Sequence, residues 1–253
     1  MSFKVVQISD THLLADRTGC VAEVPTWLSF CAVLDDIDER HGNFDLLVVT
    51  GDLAQDELEP TYAHLREGLG ERLSRSRLIP GNHDDRPALR KVFPEFFSAD
   101  AQWLTFAVDC GNWRVVGLDS QVNGAVHGAL SAEQLKWLDD ELSHHPQPHL
   151  IFLHHPPLAI GVPWMDGIRL RNEEPFLELL SKHPHVKAVS AGHVHQPFSQ
   201  TTSAPAIYTA PSTCFQFGSG LDKSIITTHH GYRVFTLKDD AVSSEVARIQ
   251  AVA

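Results

Sequence analysis

The chain has 253 residues, a formal net charge of −12 and a pI near 5.7. That length gives room for one large domain or two small ones, and a hydrophobic fraction of 43% supports a sizeable buried core. Non-specific binding to nucleic acid or to an anionic membrane needs clustered Lys and Arg, which the chain lacks and its overall charge opposes.

Phe3–Ser9 is an apolar run bounded by a turn and predicts a buried strand. Trp27–Arg40 carries Phe30, Val33, Leu34 and Ile37 at helical spacing. Phe44–Thr50 predicts a second buried strand, and Thr61–Leu73 a helix that starts after Pro60. Arg77–Pro80 reads as a short strand leading into Gly81-Asn82-His83-Asp84. Asp84-Asp85 before Arg86-Pro87 then suggests a helix cap with proline in the first turn. Trp103–Asp109 and Trp113–Leu118 predict a hairpin about Gly111-Asn112. Ser131 and Gln134 have the spacing of a capping box, opening a helix with Leu135, Leu138 and Leu142 on one face. His149–Leu153 predicts a strand running into His154-His155, and Asn172 is expected to cap a helix through Leu180. Val186–Ala191, Phe198–Thr202, Ala206–Thr209, Tyr232–Leu237 and Ser243–Ile249 complete a β-rich second half. Helices between strands early and strands clustered late predict an α/β protein with two packed sheets. No repeat, linker or low-complexity tract divides the chain, so one domain over 1–253 is expected.

The four cysteines, Cys20, Cys31, Cys110 and Cys214, form no CxxC pair and are expected to be reduced, buried thiols. The N-terminus lacks a basic region followed by an apolar one, and no apolar stretch approaches the ~18 residues of a membrane span. A soluble, cytoplasmic protein is therefore expected. The irregular stretch Pro156–Arg171 is long enough to suggest a functional loop, and its Trp164, Met165 and Ile168 argue against disorder.

Five predicted strands end in residues that bind metals: Asp10-Thr-His12, Gly51-Asp52, Gly81-Asn82-His83-Asp84, His154-His155 and Gly192-His193-Val-His195. Loops beyond the carboxyl ends of strands in an open α/β sheet converge in space. In an extended chain, residues two apart point to one side, so Asp10 with His12, or His193 with His195, can grip one ion. Asp52 offers two oxygens and can bridge two ions. Asn82 offers a neutral oxygen, uncommon for catalytic zinc but acceptable to harder metals. Taken singly, each motif has an ordinary explanation as a turn or a polar strand exit. Their occurrence together and in this order does not.

The order DxH, GD, GNHD, H, GHxH resembles the calcineurin-like metallophosphoesterase superfamily. The stretches QISDTHLLAD, VVTGDLAQD, IPGNHD, LDSQVNGAVHG, LHHPP, GHVHQ and APSTCFQF are similar to the bacterial class III cyclic-nucleotide phosphodiesterases, and most of all to those acting on 3′,5′-cyclic AMP. The resemblance spans about Gln7 to Phe217. It implies two facing mixed β-sheets flanked by helices, a four-layer αββα sandwich. It also implies a first metal held by Asp10, His12 and His195, a second held by Asn82, His154 and His193, and Asp52 between them. Substrate contact falls to His12, Asp52, Asn82, His83 and His195. Iron is the implied metal, with manganese as the alternative. The implied reaction is hydrolysis of cyclic AMP to 5′-AMP by a hydroxide bridging two metal ions, with His83 as the general acid. A broader phosphodiesterase or phosphomonoesterase is the alternative, because the ligands alone support only phosphoester hydrolysis. A binding module with a decayed metal site would have lost ligands, and all of them are present. The expected partner is a small cyclic nucleotide rather than nucleic acid or membrane, and a homodimer is allowed. The loop Pro156–Arg171 and the segment Ser120–His127 could shape a base pocket: Trp164 could stack on a purine or else pack within its loop or against a second subunit, and Arg169 and Asn172 could contact phosphate, ribose or neighbouring loops. Cys214 needs no role as nucleophile.

Overall fold

Two β-sheets face each other, and helices cover their outer faces. The structure, a computed structural model, describes residues 2–202, 204–218, 220 and 223–252. In chain order the first elements are β1 (Ser2–Ile8), β2 (Cys20–Val21), β3 (Val24–Pro25), α1 (Thr26–His41), β4 (Leu46–Thr50), α2 (Glu59–Leu69), β5 (Ser76–Ile79) and α3 (Arg86–Val92). There follow β6 (Phe106–Cys110), β7 (Trp113–Gly117), α4 (Ala132–His144), β8 (His149–Leu153), α5 (Pro163–Asp166), α6 (Glu173–Ser181) and β9 (Val186–Ala191). The last are β10 (Phe198–Gln200), β11 (Ala206–Thr209), β12 (Gln216–Phe217), β13 (Ile225–Ile226), β14 (His229–Lys238) and β15 (Ala241–Gln250).

One sheet has the strand order β15-β14-β1-β4-β5 and the other β10-β11-β9-β8-β7-β6. Both are mixed. β1, β4 and β5 run parallel, as do β7, β8, β9 and β11, while β14, β15, β6 and β10 pair antiparallel at the flanks. The period of two along each central strand builds the layers. Val5, Leu46, Val48, Leu150 and Phe152 point between the sheets, where Trp113 and Phe235 join them. Their neighbours Val6, Leu47 and Val49 face outward against Phe30, Val33 and Ile37 of α1 and Leu65 of α2. On the other side Ile151, Leu153 and Val189 meet Leu138 of α4 and Phe176 of α6. The result is the expected helix–sheet–sheet–helix sandwich. No helix among the described residues is long and apolar enough to cross a membrane.

Some local expectations need correction. The helix expected over Thr61–Leu73 ends at Leu69, because Gly70 adopts φ +51° and the chain continues as a 3-10 turn. Ser131 does accept a hydrogen bond from Gln134 N, but the Gln134 side chain pairs with both backbone groups of Asp119 instead of closing the capping box. Asn172 does not cap α6; its amide brackets the backbone of Leu130. The cap expected at Asp84-Asp85 does form, through Asp85, which accepts from Ala88 N at 2.7 Å. Cys20 is exposed and Cys31 half-buried, whereas Cys110 and Cys214 are buried as expected.

Candidate metal centre

The parallel strands β1, β4, β5, β8 and β9 all end on one edge, and the loops that follow them are hydrogen-bonded to one another. Asp10 N donates to Gly51 O at 3.0 Å, His12 N to Asp52 O at 2.9 Å and Gly192 N to His154 O at 3.0 Å. This ladder carries the candidate ligands to a common point. Asp10, His12 and His195 bring ligand atoms within 4.8 Å of one another, and so do Asp10, Asp52 and His154. All seven candidate ligands except Asn82 are buried, and Asn82 and His83 are half-buried at the rim.

The backbone does not deliver them as an extended chain would. Asp10 and His12 take φ values of 55° and 44°, Asp52 49°, and His193 and His195 69° and 49°. Left-handed conformations in non-glycine residues cost of order 1–3 kcal/mol each and persist where surrounding contacts enforce them. Here the two Asp10 oxygens each accept from His193 N at 3.1 Å, and Ser212 Oγ donates to Asp10 O at 2.8 Å. Gly81 fits where nothing larger would: a Cβ there would lie 2.2 Å from Asp52 Oδ1 and 2.3 Å from Asp52 N.

Three imidazoles have a fixed orientation. His12 Nδ1 faces Gln55 Oε1 at 2.8 Å, His154 Nδ1 faces Thr50 O at 2.8 Å and His195 Nδ1 faces Phe215 O at 2.8 Å. Each oxygen is an acceptor, so each Nδ1 carries a proton; on His12 and His195 this leaves an Nε2 lone pair facing inward, while His154 Nε2 faces the Asp52 carboxylate. His12 Nε2 and His195 Nε2 lie 3.2 Å apart, and His195 Nε2 is 3.3 Å from Asp10 Oδ1. Asp52 reaches both sides: Oδ1 is 3.3 Å from His154 Nε2 and Oδ2 is 3.9 Å from His12 Nε2. Asn82 Oδ1 and His193 Nε2 are buried without a hydrogen-bond partner. Buried polar atoms are rarely left so, and converging lone pairs repel unless a cation lies between them. The donor set of nitrogen and oxygen atoms fits two cations of the harder or borderline kind. His155 also approaches His154 and His193, but its Nδ1 faces Ser120 Oγ at 2.8 Å and its Nε2 faces Val126 O at 3.2 Å, so neither nitrogen is free.

The electrostatics agree with ligand chemistry. Burial holds the His12 imidazolium down to about 4 and that of His193 to about 3, so both rings are neutral donors at pH 7. Burial would also lower His154, but the Asp52 carboxylate overrides it and raises the ring to about 9. Burial opposes ionisation of Asp10 and Asp52, yet His195 and His154 respectively hold them below the ordinary carboxylate value.

Supporting residues shape the rim. Asp84 accepts from Gly81 N at 2.7 Å, from Leu53 N at 3.1 Å, from Ala54 N at 3.2 Å and from Tyr62 Oη at 3.2 Å, which pins the Asn82-His83 turn. His83 N donates to Asp52 Oδ1 at 2.9 Å. Asn82 and His83 open onto a cleft of about 940 Å³ whose walls include Arg86, Asn123 and Val126. Arg86 is clamped to Asp119 by two bonds of 2.6 and 2.7 Å. The expected base-pocket residues divide. Asn123 and Val126 of the segment Ser120–His127 line the cleft, while Trp164 packs against Val162, Met165, Val194 and Phe217. Arg169 is engaged by Asp166 O and Glu173, and Asn172 by Leu130, so of the contacts expected for them it is those with neighbouring segments that form. Burial pushes the Cys214 thiol up to about 12, in keeping with a structural role. The residues that orient the rings, Gln55 and the Phe215 carbonyl, were not singled out by the sequence; VVTGDLAQD contains Gln55, but nothing in its spacing pairs it with His12.

Comparison with known proteins places this arrangement. Residues 3–197 match the model of the calcineurin-like phosphoesterase family. The chain is 37% identical over 249 residues to the 3′,5′-cyclic adenosine monophosphate phosphodiesterase CpdA of Escherichia coli K12, covering 97% of this chain and 90% of that protein. It is 33% identical over 252 residues to a 3′,5′-cyclic-nucleotide phosphodiesterase of Nostoc, covering 98% and 93%. Among solved structures it resembles a dimetal phosphatase from Danio rerio, with a TM-score of 0.64, 20% identity and 99% of both chains covered. That last likeness speaks to the fold. The chain belongs to the calcineurin-like phosphoesterase family.

Proposed function

We propose that this member of the family hydrolyses 3′,5′-cyclic AMP to 5′-AMP in the cytoplasm as a single-domain, dinuclear metalloenzyme. One observation carries the metal-dependent part. The Nε2 lone pairs of His12 and His195 confront each other at 3.2 Å beside Asn82 Oδ1 and His193 Nε2, two buried ligand-type atoms that lack partners. The choice of ester is supported by the names of relatives at 33–37% identity over nearly the whole chain.

In this reading Asp10, His12 and His195 hold one ion, Asn82, His154 and His193 the other, and Asp52 lies between them. Iron, or else manganese, suits the mixed nitrogen and oxygen donors. When bound, such ions lower the pKa of a water molecule and offset charge on phosphoryl oxygens. The chain's own residues supply the rest. Two divalent charges against the carboxylates of Asp10 and Asp52 leave about +2 in the centre, enough to draw a phosphodiester into an acidic protein. His12, Asp52, Asn82, His83 and His195 form the floor on which the phosphate rests. The His83 ring stands at the half-buried rim and gives a proton to the leaving 3′ oxygen. Its backbone bond to Asp52 keeps it in register with the centre.

A broader phosphoesterase is the second reading, favoured by the size of the cleft, near the upper end of the ~300–1,000 Å³ usual for small-ligand pockets. Turnover of cyclic AMP, bis-p-nitrophenyl phosphate and p-nitrophenyl phosphate by one metal-loaded sample separates the two. Highest kcat/KM on cyclic AMP supports the proposal, and cyclic AMP as the poorest substrate overturns it.

A further inference from the structure

Two of the three oriented imidazoles rest on main-chain carbonyls, Thr50 O for His154 and Phe215 O for His195. His12 alone rests on a side chain. Gln55 Oε1 is 2.8 Å from His12 Nδ1, and the loop holding Gln55 is tied to the loop holding His12: Gln55 N donates to Leu13 O at 2.8 Å and Leu13 N to Leu53 O at 3.0 Å. A backbone ladder thus sets the distance between amide and ring before any ligand arrives.

We propose that Gln55 is a positioning residue for the first ion: it fixes His12 in the tautomer that presents Nε2, and does so without adding charge. This rests on the reading of His12 as a ligand. An acceptor on the outer nitrogen of a ligating histidine sets its ring orientation and raises its basicity, and loss of such a partner costs about 10- to 100-fold in metal affinity or activity. A carboxylate in the same place would do this more strongly. It would also reduce the centre's charge from about +2 to about +1 and weaken its hold on an anionic diester. A neutral amide supplies the orientation and leaves the charge for the substrate.

The test is Mn²⁺ titration of chelator-treated protein, followed by electron paramagnetic resonance, with kcat and KM for cyclic AMP on the same samples. Gln55→Met, similar in shape and without the acceptor, is expected to weaken one Mn²⁺ by about 10- to 100-fold and leave the other at its wild-type affinity. Gln55→Glu is expected to restore Mn²⁺ affinity to at least the wild-type value while kcat/KM falls below wild type. Wild-type Mn²⁺ binding in Gln55→Met, or failure of Gln55→Glu to bind Mn²⁺ as tightly as wild type, overturns the positioning role. Tight Mn²⁺ binding by Gln55→Glu with undiminished kcat/KM overturns the charge argument. His12→Ala separates this inference from the reading beneath it. If His12→Ala keeps both ions, His12 is not a ligand; if it loses one and Gln55→Met loses none, only the role of Gln55 fails.

Discussion

His12 Nε2 and His195 Nε2 lie 3.2 Å apart, and each ring's other nitrogen is already bonded to an oxygen. Two lone pairs so placed are a socket for a cation. Substituting either ring by alanine is therefore expected to remove one ion from each chain. Activity should fall by more than the roughly 100-fold that loss of an outer partner costs. Atomic emission on purified His12→Ala and His195→Ala, with folding checked by circular dichroism, decides the matter. Full metal content in both would show that the socket serves another purpose.

His83 is expected to behave differently. His83→Ala should retain both ions and lose about 10²- to 10⁴-fold in kcat, the usual worth of a positioned proton donor. The deficit should shrink with an ester whose leaving group needs no proton, such as bis-p-nitrophenyl phosphate. Metal content falling in step with activity would contradict the assignment.

Metal uptake should depend on pH through His154. In the metal-free chain Asp52 raises this ring, against the pull of burial, to about 9. At pH 7 its Nε2 is protonated, and an ion must displace that proton. Apparent affinity at this site is expected to rise by up to tenfold per pH unit until about pH 9 and then level off. The same raised value makes the metal-free fold gain from the His154–Asp52 pair below pH 6.5 and lose that gain as pH passes about 9. Metal titrations from pH 6 to 9 in weak buffer, with released protons counted, test both the slope and its cause. Affinity independent of pH would refute it.

Asp84 is a structural keystone of the rim. Asp84→Ala strands the buried N–H groups of Gly81, Leu53 and Ala54 and the Tyr62 hydroxyl together. Each unsatisfied group costs ~1–3 kcal/mol without adding fully, so a loss of about 3–5 kcal/mol is expected in urea denaturation. Burial and the charge of Asp52 push the Asp84 carboxyl up to about 7, so Asp84→Asn should be milder than Asp84→Ala. Equal stability of Asp84→Ala and wild type would remove this role.

Much of the centre was legible because metal ligands are few in kind and fall at strand ends, which hydrophobic runs reveal. Asp10, His12, Asp52, His154, His193 and His195 converge as the strand assignments required. Two packed sheets followed from the order of helices and strands and the four layers from the family resemblance; Val5 and Val6, apolar neighbours that face different layers, show why the strand reads as one continuous apolar run. What escaped depends on contacts far apart in the chain. Gln134 has the spacing of a capping box, yet Asp119 offered its amide a pair of backbone partners. Asn172 was drawn off α6 by Leu130 in the same way. The left-handed backbone at Asp10, His12, His193 and His195 has no local signature, since these are not glycines. Nor can a sequence show that Phe215 contributes a carbonyl rather than its ring alone.

The central claim is that this chain turns over cyclic AMP with two ions held by its own residues. The most direct measurement is metal analysis of protein purified without added metal, joined to a cyclic-AMP assay on the same sample before and after chelation. About two ions per chain, 5′-AMP as product, and activity lost with the metal and recovered on its return are the predicted result. Protein that carries no metal and takes up none, or turnover that survives complete chelation, would contradict it.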